Sequence, residues 1–146
     1  MILKDIPIIC GYRRTAADRY GLLYIFVLVT SCFYEVYGRV WTGKKLVAVL
    51  LLDGKNRIIR RVQISQASLN QSIVHPREVF NPAVKESAAA MILLHNHPTG
   101  DPNPSSEDIA ITRRLKEAGE LMGIKVLDHI IIGDEEYLSF VERGLL

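Results

Sequence analysis

Leu46 to Leu52 is an unbroken apolar run that stops at Asp53-Gly54. This pattern predicts a central strand closed by a tight turn. Arg57 to Ile64 reads as a second strand, and the short Asp-Gly connection makes the two a hairpin. Gln66 to Gln71 is polar and reads as a loop. Pro76 suits a first helical position, but Pro82 does not suit a helix interior. The expectation is therefore a short turn over Pro76–Phe80 and a helix from Pro82 to about Ala88, capped by Asn81. Ala90 to Leu94 is a short buried strand, and Pro98, Gly100, Pro102 and Pro104 stiffen the loop that follows. Ser105 to Met122 carries the clearest helical period, with Ile109, Thr112, Leu115, Ala118 and Met122 on one face and charges mostly on the other. Gly123 ends it. Ile124–Ile132 is a strand, and Tyr137–Val141 a last short strand or helical turn. Strands and helices alternating in this way predict an α/β or α+β domain built on a mixed sheet.

The N-terminal third follows a different pattern. Tyr20 to Phe33 is uncharged and apolar, with Arg13, Arg14 and Arg19 ahead of it. The run is shorter than the roughly 20 residues a spanning helix needs. Its β-branched and aromatic content favours a buried strand, although a secretory signal is the alternative and Val29-Thr30-Ser31-Cys32 looks like a lipoprotein cleavage box. No membrane association is expected. Cys10 and Cys32, the two cysteines, have no metal-binding spacing and suit reduced thiols in a cytoplasmic protein. The length, 146 residues, suits one domain. The net charge of +2 comes from 18 basic and 16 acidic residues, too balanced for a nucleic-acid footprint.

The chemistry concentrates in HNHPTGDPNPSSED, residues 95–108. His95 and His97 are two apart at a strand end, so both imidazoles point to one side of the sheet. The loop turns the chain back, and Asp108 falls in the first turn of the next helix, where its carboxylate can return to the same point. Two histidines and a carboxylate with a fourth position open form a catalytic zinc arrangement, in which Zn²⁺ polarises a carbonyl and acidifies water. Asp108 has a second reading, since Ser105-x-x-Asp108 also has the form of a capping box.

His95-x-His97-x7-Ser105-x2-Asp108 resembles the JAMM (MPN+) metalloprotease motif, and the wider text resembles the RadC branch of that family. HPREVF at 75–80, AAAMILLHNHP at 88–98, LDHIIIG at 127–133 and SFVERGLL at 139–146 carry the same likeness. The resemblance covers residues 45–146, set against a divergent segment at 1–44. It implies a JAB1/MPN-like (cytidine-deaminase-like) fold, a mixed sheet flanked by helices. It further implies Zn²⁺ held by His95, His97 and Asp108, and a Ser105 hydroxyl that stabilises an oxyanion. The implied activity is a zinc-dependent hydrolase, a JAMM-type metallopeptidase acting on a peptide or protein substrate.

One departure bears on catalysis. The family's general base is a glutamate at the start of the strand aligned here with Leu46–Asp53, and this chain has Lys45 there. A lysine amine, ordinarily protonated at neutral pH, does not accept a proton from water. Glu35 and Glu78 are the substitutes the sequence offers. The alternative to a hydrolase is a RadC-like module that binds zinc with weak or no catalysis. A DNA-repair accessory role is suggested by the branch name but not by the charge. A zinc deaminase is disfavoured because Pro-Cys-x-x-Cys is absent. Ligating histidines usually donate their second N–H to a partner, which makes Asp128 a candidate orienter. His129 reads as core or as support for the site, and His75 as structural.

Overall fold

Strands β1 (Lys45–Leu52) and β2 (Ile58–Ala67) form the expected hairpin in the computed structural model, which describes residues 45–67, 74–134 and 136–146. Asp53 closes its turn: the carboxylate accepts from the backbone N–H of Lys55 and Arg57 at 2.8 and 2.9 Å. The rest of the chain runs α1 (Pro76–Lys85), β3 (Ala90–Asn96), α2 (Ser106–Met122), β4 (Lys125–Ile132) and β5 (Tyr137–Ser139). The sheet order is β2-β1-β3-β4-β5, with β3 and β4 parallel and every other pair antiparallel. This is the expected mixed sheet with helices packed on it.

Two local expectations are corrected. The loop read at Gln66–Gln71 does not hold at Gln66 and Ala67, where β2 continues and Ala67 pairs with Lys45, and residues 68–71 lie outside the described residues. The ladder to β1 satisfies those backbone groups whatever the polarity of the side chains. The turn-then-helix read at residues 76–88 is one helix, with His75 rather than Asn81 as its cap and Pro82 inside it. Pro82 forfeits a single hydrogen bond to the Glu78 carbonyl. Val79, Phe80 and Ala83, at most 3% exposed, pack this helix into the core and outweigh that loss. The His75 imidazole accepts from the Arg77 N–H, a structural role as expected.

Both faces of the sheet are apolar, which is why Leu46–Leu52 shows no alternation. Val47, Val49, Leu51, Met91 and Leu93 meet Val79, Phe80 and Ala83 of α1 and Leu115 of α2. Leu46, Ala48, Leu50, Leu94, Ile130 and Ile132 form a second cluster on the opposite face. Gly119 lets α2 approach the strand that follows it: a Cβ there would sit 2.4 Å from the Ile124 carbonyl oxygen. The β3–α2–β4 crossover joins parallel strands, so α2 starts at the edge of the sheet where β3 ends. That topology brings the metal-ligand candidates together. No helix among the described residues is long and apolar enough to cross a membrane. The N-terminal apolar run, both cysteines and Glu35 lie outside the described residues.

Candidate metal centre

His95 lies in β3, paired with Val47 of β1 and Ile131 of β4, and is 2% exposed. His97 lies just past the strand, where its N–H bonds the Ile132 carbonyl and extends the alignment with β4. Between them Asn96 faces the other way, and its Oδ1 accepts from Leu46 N–H at 2.6 Å. This bond ties the start of β1 to the end of β3.

Asp108 is both the capping acid and a member of the site. The Ser105 hydroxyl caps α2 by accepting from Asp108 N–H, while Asp108 Oδ2 accepts from Ser105 N–H at 2.9 Å and Ser105 Oγ–H at 2.7 Å. The capping box thus holds the carboxylate in orientation. His95 Nε2 lies 2.9 Å from His97 Nε2 and 3.3 Å from Asp108 Oδ1, and His97 Nε2 lies 3.2 Å from Asp108 Oδ2. The three side chains therefore form one cluster able to hold a metal ion.

The chemistry of this donor set fits a cation. His97 Nδ1 lies 2.8 Å from the Asp101 carbonyl oxygen, which has no proton, so Nδ1 is the donor. In a neutral imidazole Nε2 is then left with a bare lone pair. Lone pairs and carboxylate oxygens converging at these distances repel one another unless a positive centre lies among them. Ligands of a tetrahedral zinc stand roughly 3.3 Å apart, given bonds near 2.0–2.1 Å.

Burial holds the His95 imidazole at about 4, against an upward pull from the neighbouring Asp108 carboxylate, and so keeps it neutral. Burial alone would raise the Asp108 carboxyl, but the neighbouring His95 and His97 imidazoles and the Ser105 hydroxyl that donates to it hold it well below the usual carboxylate range. Both groups are in the form a metal ligand requires.

Lys45 opens β1 two residues before Val47, on the face of His95. Its Nζ lies 2.9 Å from Asp108 Oδ1 and donates to it. The position expected for a general base thus holds a cation paired with a candidate ligand. Glu78 is exposed in the first turn of α1 and does not line the site's cavity, so it does not supply the base. That cavity, about 300 Å³, has Lys45, His95 and Asp108 in its wall beside Val47, Val79, Leu93 and Leu115. Among the described residues it contains one other carboxylate, Glu107, which the sequence reading passed over. The backbone N–H of Glu107 and the Ser106 hydroxyl lower its carboxyl, which weakens it as a proton acceptor.

Asp128 is not the orienter of a ligating histidine. Its carboxylate accepts from His129 N–H, Ser139 Oγ–H and Val141 N–H, and so ties β4 to the C-terminal turn. The side chain that meets the second ring nitrogen of His95 is His129, whose Nε2 lies 2.7 Å from His95 Nδ1.

Residues 31–145 match the family model described as a RadC-like JAB domain, a match that starts ahead of β1. Among curated relatives, a UPF0758 protein of Pelobacter propionicus is 87% identical over 98 residues, 67% of this chain and 43% of its own. One from Geotalea uraniireducens is 76% identical over 135 residues, 92% of this chain and 59% of its own. One from Trichlorobacter lovleyi is 75% identical over 103 residues, 70% of this chain and 45% of its own. The chain thus spans about half the length of these relatives.

Proposed function

The chain belongs to the RadC-like JAB domain family, and from that premise we propose that it is a zinc-dependent hydrolase of the JAMM type acting on peptide or isopeptide bonds. The observation that carries this reading is the convergence of His95 Nε2, His97 Nε2 and the Asp108 carboxylate on one point at the wall of a cavity. A zinc ion held there would supply a Lewis acid and bring the pKa of a water in its open position near neutrality. His95 and His97 would bind it through lone pairs and Asp108 through its charge. The Ser105 hydroxyl would donate to an oxyanion, which requires it to release Asp108 Oδ2, 2.7 Å away. The apolar cavity wall would receive an apolar part of the substrate and exclude water.

A second reading, a metal-binding module without hydrolysis, is favoured by the Lys45–Asp108 ion pair. Lys45 brings a proton donor to the place where a proton acceptor is needed. It also neutralises part of the ligand charge that attracts a metal. The two readings separate in one experiment on the zinc-loaded chain, with wild type and Lys45→Glu assayed on peptide and isopeptide substrates. Chelator-sensitive cleavage by the wild type supports a hydrolase. Cleavage by Lys45→Glu alone supports the inactive module. Failure of the wild type to bind zinc at micromolar concentration overturns both.

A further inference from the structure

A carbonyl oxygen has no proton to give. Thr112 Oγ1 lies 2.6 Å from the Asp108 carbonyl oxygen, so the single hydroxyl proton of Thr112 is committed there. The same oxygen lies 2.6 Å from His129 Nδ1. With the hydroxyl proton already used, that contact is a hydrogen bond only if His129 Nδ1 carries the proton. His129 is 4% exposed, its ring stacks on Phe140 at 4.7 Å, and its two ring contacts are a hydroxyl and an imidazole rather than a carboxylate. In that setting the ring is neutral, and Nε2 is an acceptor. His95 Nδ1, 2.7 Å from His129 Nε2, must then be the donor. The remaining nitrogen of His95, Nε2, is left as a bare lone pair aimed at His97 and Asp108.

We propose that Thr112 and His129 are positioning residues that act through His95, a one-way hydrogen-bond relay fixing the tautomer in which His95 Nε2 is free to bind a metal ion. The relay starts and ends on the site: its acceptor is the backbone carbonyl of Asp108, and its last member is His95. It therefore also fixes the first turn of α2, which carries the third ligand, relative to β3 and β4. The reverse arrangement, with the proton on His129 Nε2, would put a proton on His95 Nε2 inside the ligand cluster. It would also leave Thr112 Oγ1 with two acceptors and one proton. His97 reaches the same tautomer by a different route, through the Asp101 carbonyl at 2.8 Å. This inference rests on the metal-centre reading for its purpose but not for its first test.

That test is a long-range ¹⁵N–¹H correlation spectrum of the metal-free full chain near neutral pH. The expected result is that His95 and His129 are both Nδ1–H tautomers. Either ring found as the Nε2–H tautomer overturns the relay. The second test titrates zinc chloride, against a competing chelator, into wild type, Thr112→Val and Thr112→Ser, with urea unfolding of each as the control for folding. Thr112→Val keeps the shape but removes the hydroxyl, and is expected to lose about 10–100-fold in zinc affinity, the range for such outer partners of a ligand. Thr112→Ser, which keeps the hydroxyl, is expected to restore most of it. Wild-type affinity in Thr112→Val, or equal loss in both variants, overturns the proposal. A wild type that binds no zinc overturns the metal-centre reading instead, and the tautomer spectrum still decides the relay.

Discussion

Lowering the pH of the metal-free protein from about 7 to about 5 should cost stability, chiefly through His95. Its imidazole titrates at about 4 in the folded chain because burial disfavours the charged form, against 6.5 unfolded. In that window the unfolded chain takes up a proton that the folded chain refuses. Stability is therefore full above the unfolded value, falls as pH drops through 6.5, and levels off near 4. Integrating between about pH 7 and pH 5 gives a loss of about 2 kcal/mol from this ring alone. His129, held well below 6.5 by burial, adds a loss of the same sign. Asp128, raised by burial, works in the opposite direction at the acid end, since its folded form takes a proton before its unfolded form does. Asp108 is held too low to titrate in this window. The assay is urea unfolding at several pH values with chelator present, with the slope against urea checked for constancy. A stability that is flat or rises as pH falls from 7 to 5 would refute the claim that these rings are buried and neutral.

Further outcomes follow from the same geometry. Asp108→Ala should abolish stoichiometric zinc, read by metal analysis of the purified chain, and zinc retained at wild-type affinity would remove Asp108 from the ligand set. Ser105→Ala should lower stability by about 1 kcal/mol through loss of the α2 cap, measured by urea unfolding. It should also weaken zinc binding, because the hydroxyl orients Asp108 Oδ2. Gly133→Ala would place a Cβ 2.4 Å from the Gly100 carbonyl oxygen and 2.8 Å from Pro102 Cδ. Such overpacking against backbone costs about 1–3 kcal/mol. It should weaken zinc binding as well, since it disturbs the loop whose Asp101 carbonyl orients His97. Unchanged stability and affinity in this variant would show that the loop does not hold the site.

The sequence alone determined what depends on neighbours along the chain. The apolar run at Leu46–Leu52, the helix opening at Ser105 and the αL stop at Gly123 are local choices of backbone and side chain, and each appears in the fold. The spacing of His95, His97 and Asp108 was legible for the same reason: a strand end, a short loop and a first helical turn leave few ways to arrange three candidate ligands. Tertiary structure decided whatever depends on residues far apart. Pro82 argued locally for a helix start, yet Val79, Phe80 and Ala83 gain enough from burial against the sheet to carry one helix through it. His129 read in the sequence as core or as support for the site, but its partner was not legible there. The parallel pairing of β3 with β4 set it against His95, 34 residues away, and the α2 crossover brought Thr112 to its other nitrogen. Lys45 read in the sequence as a missing base. The fold places it 2.9 Å from a carboxylate 63 residues away, where it is a counter-charge to a candidate metal ligand as well. Spacing fixes ligands that share one turn of chain, but a hydrogen-bond relay drawn from separate elements exists only after the sheet register is set.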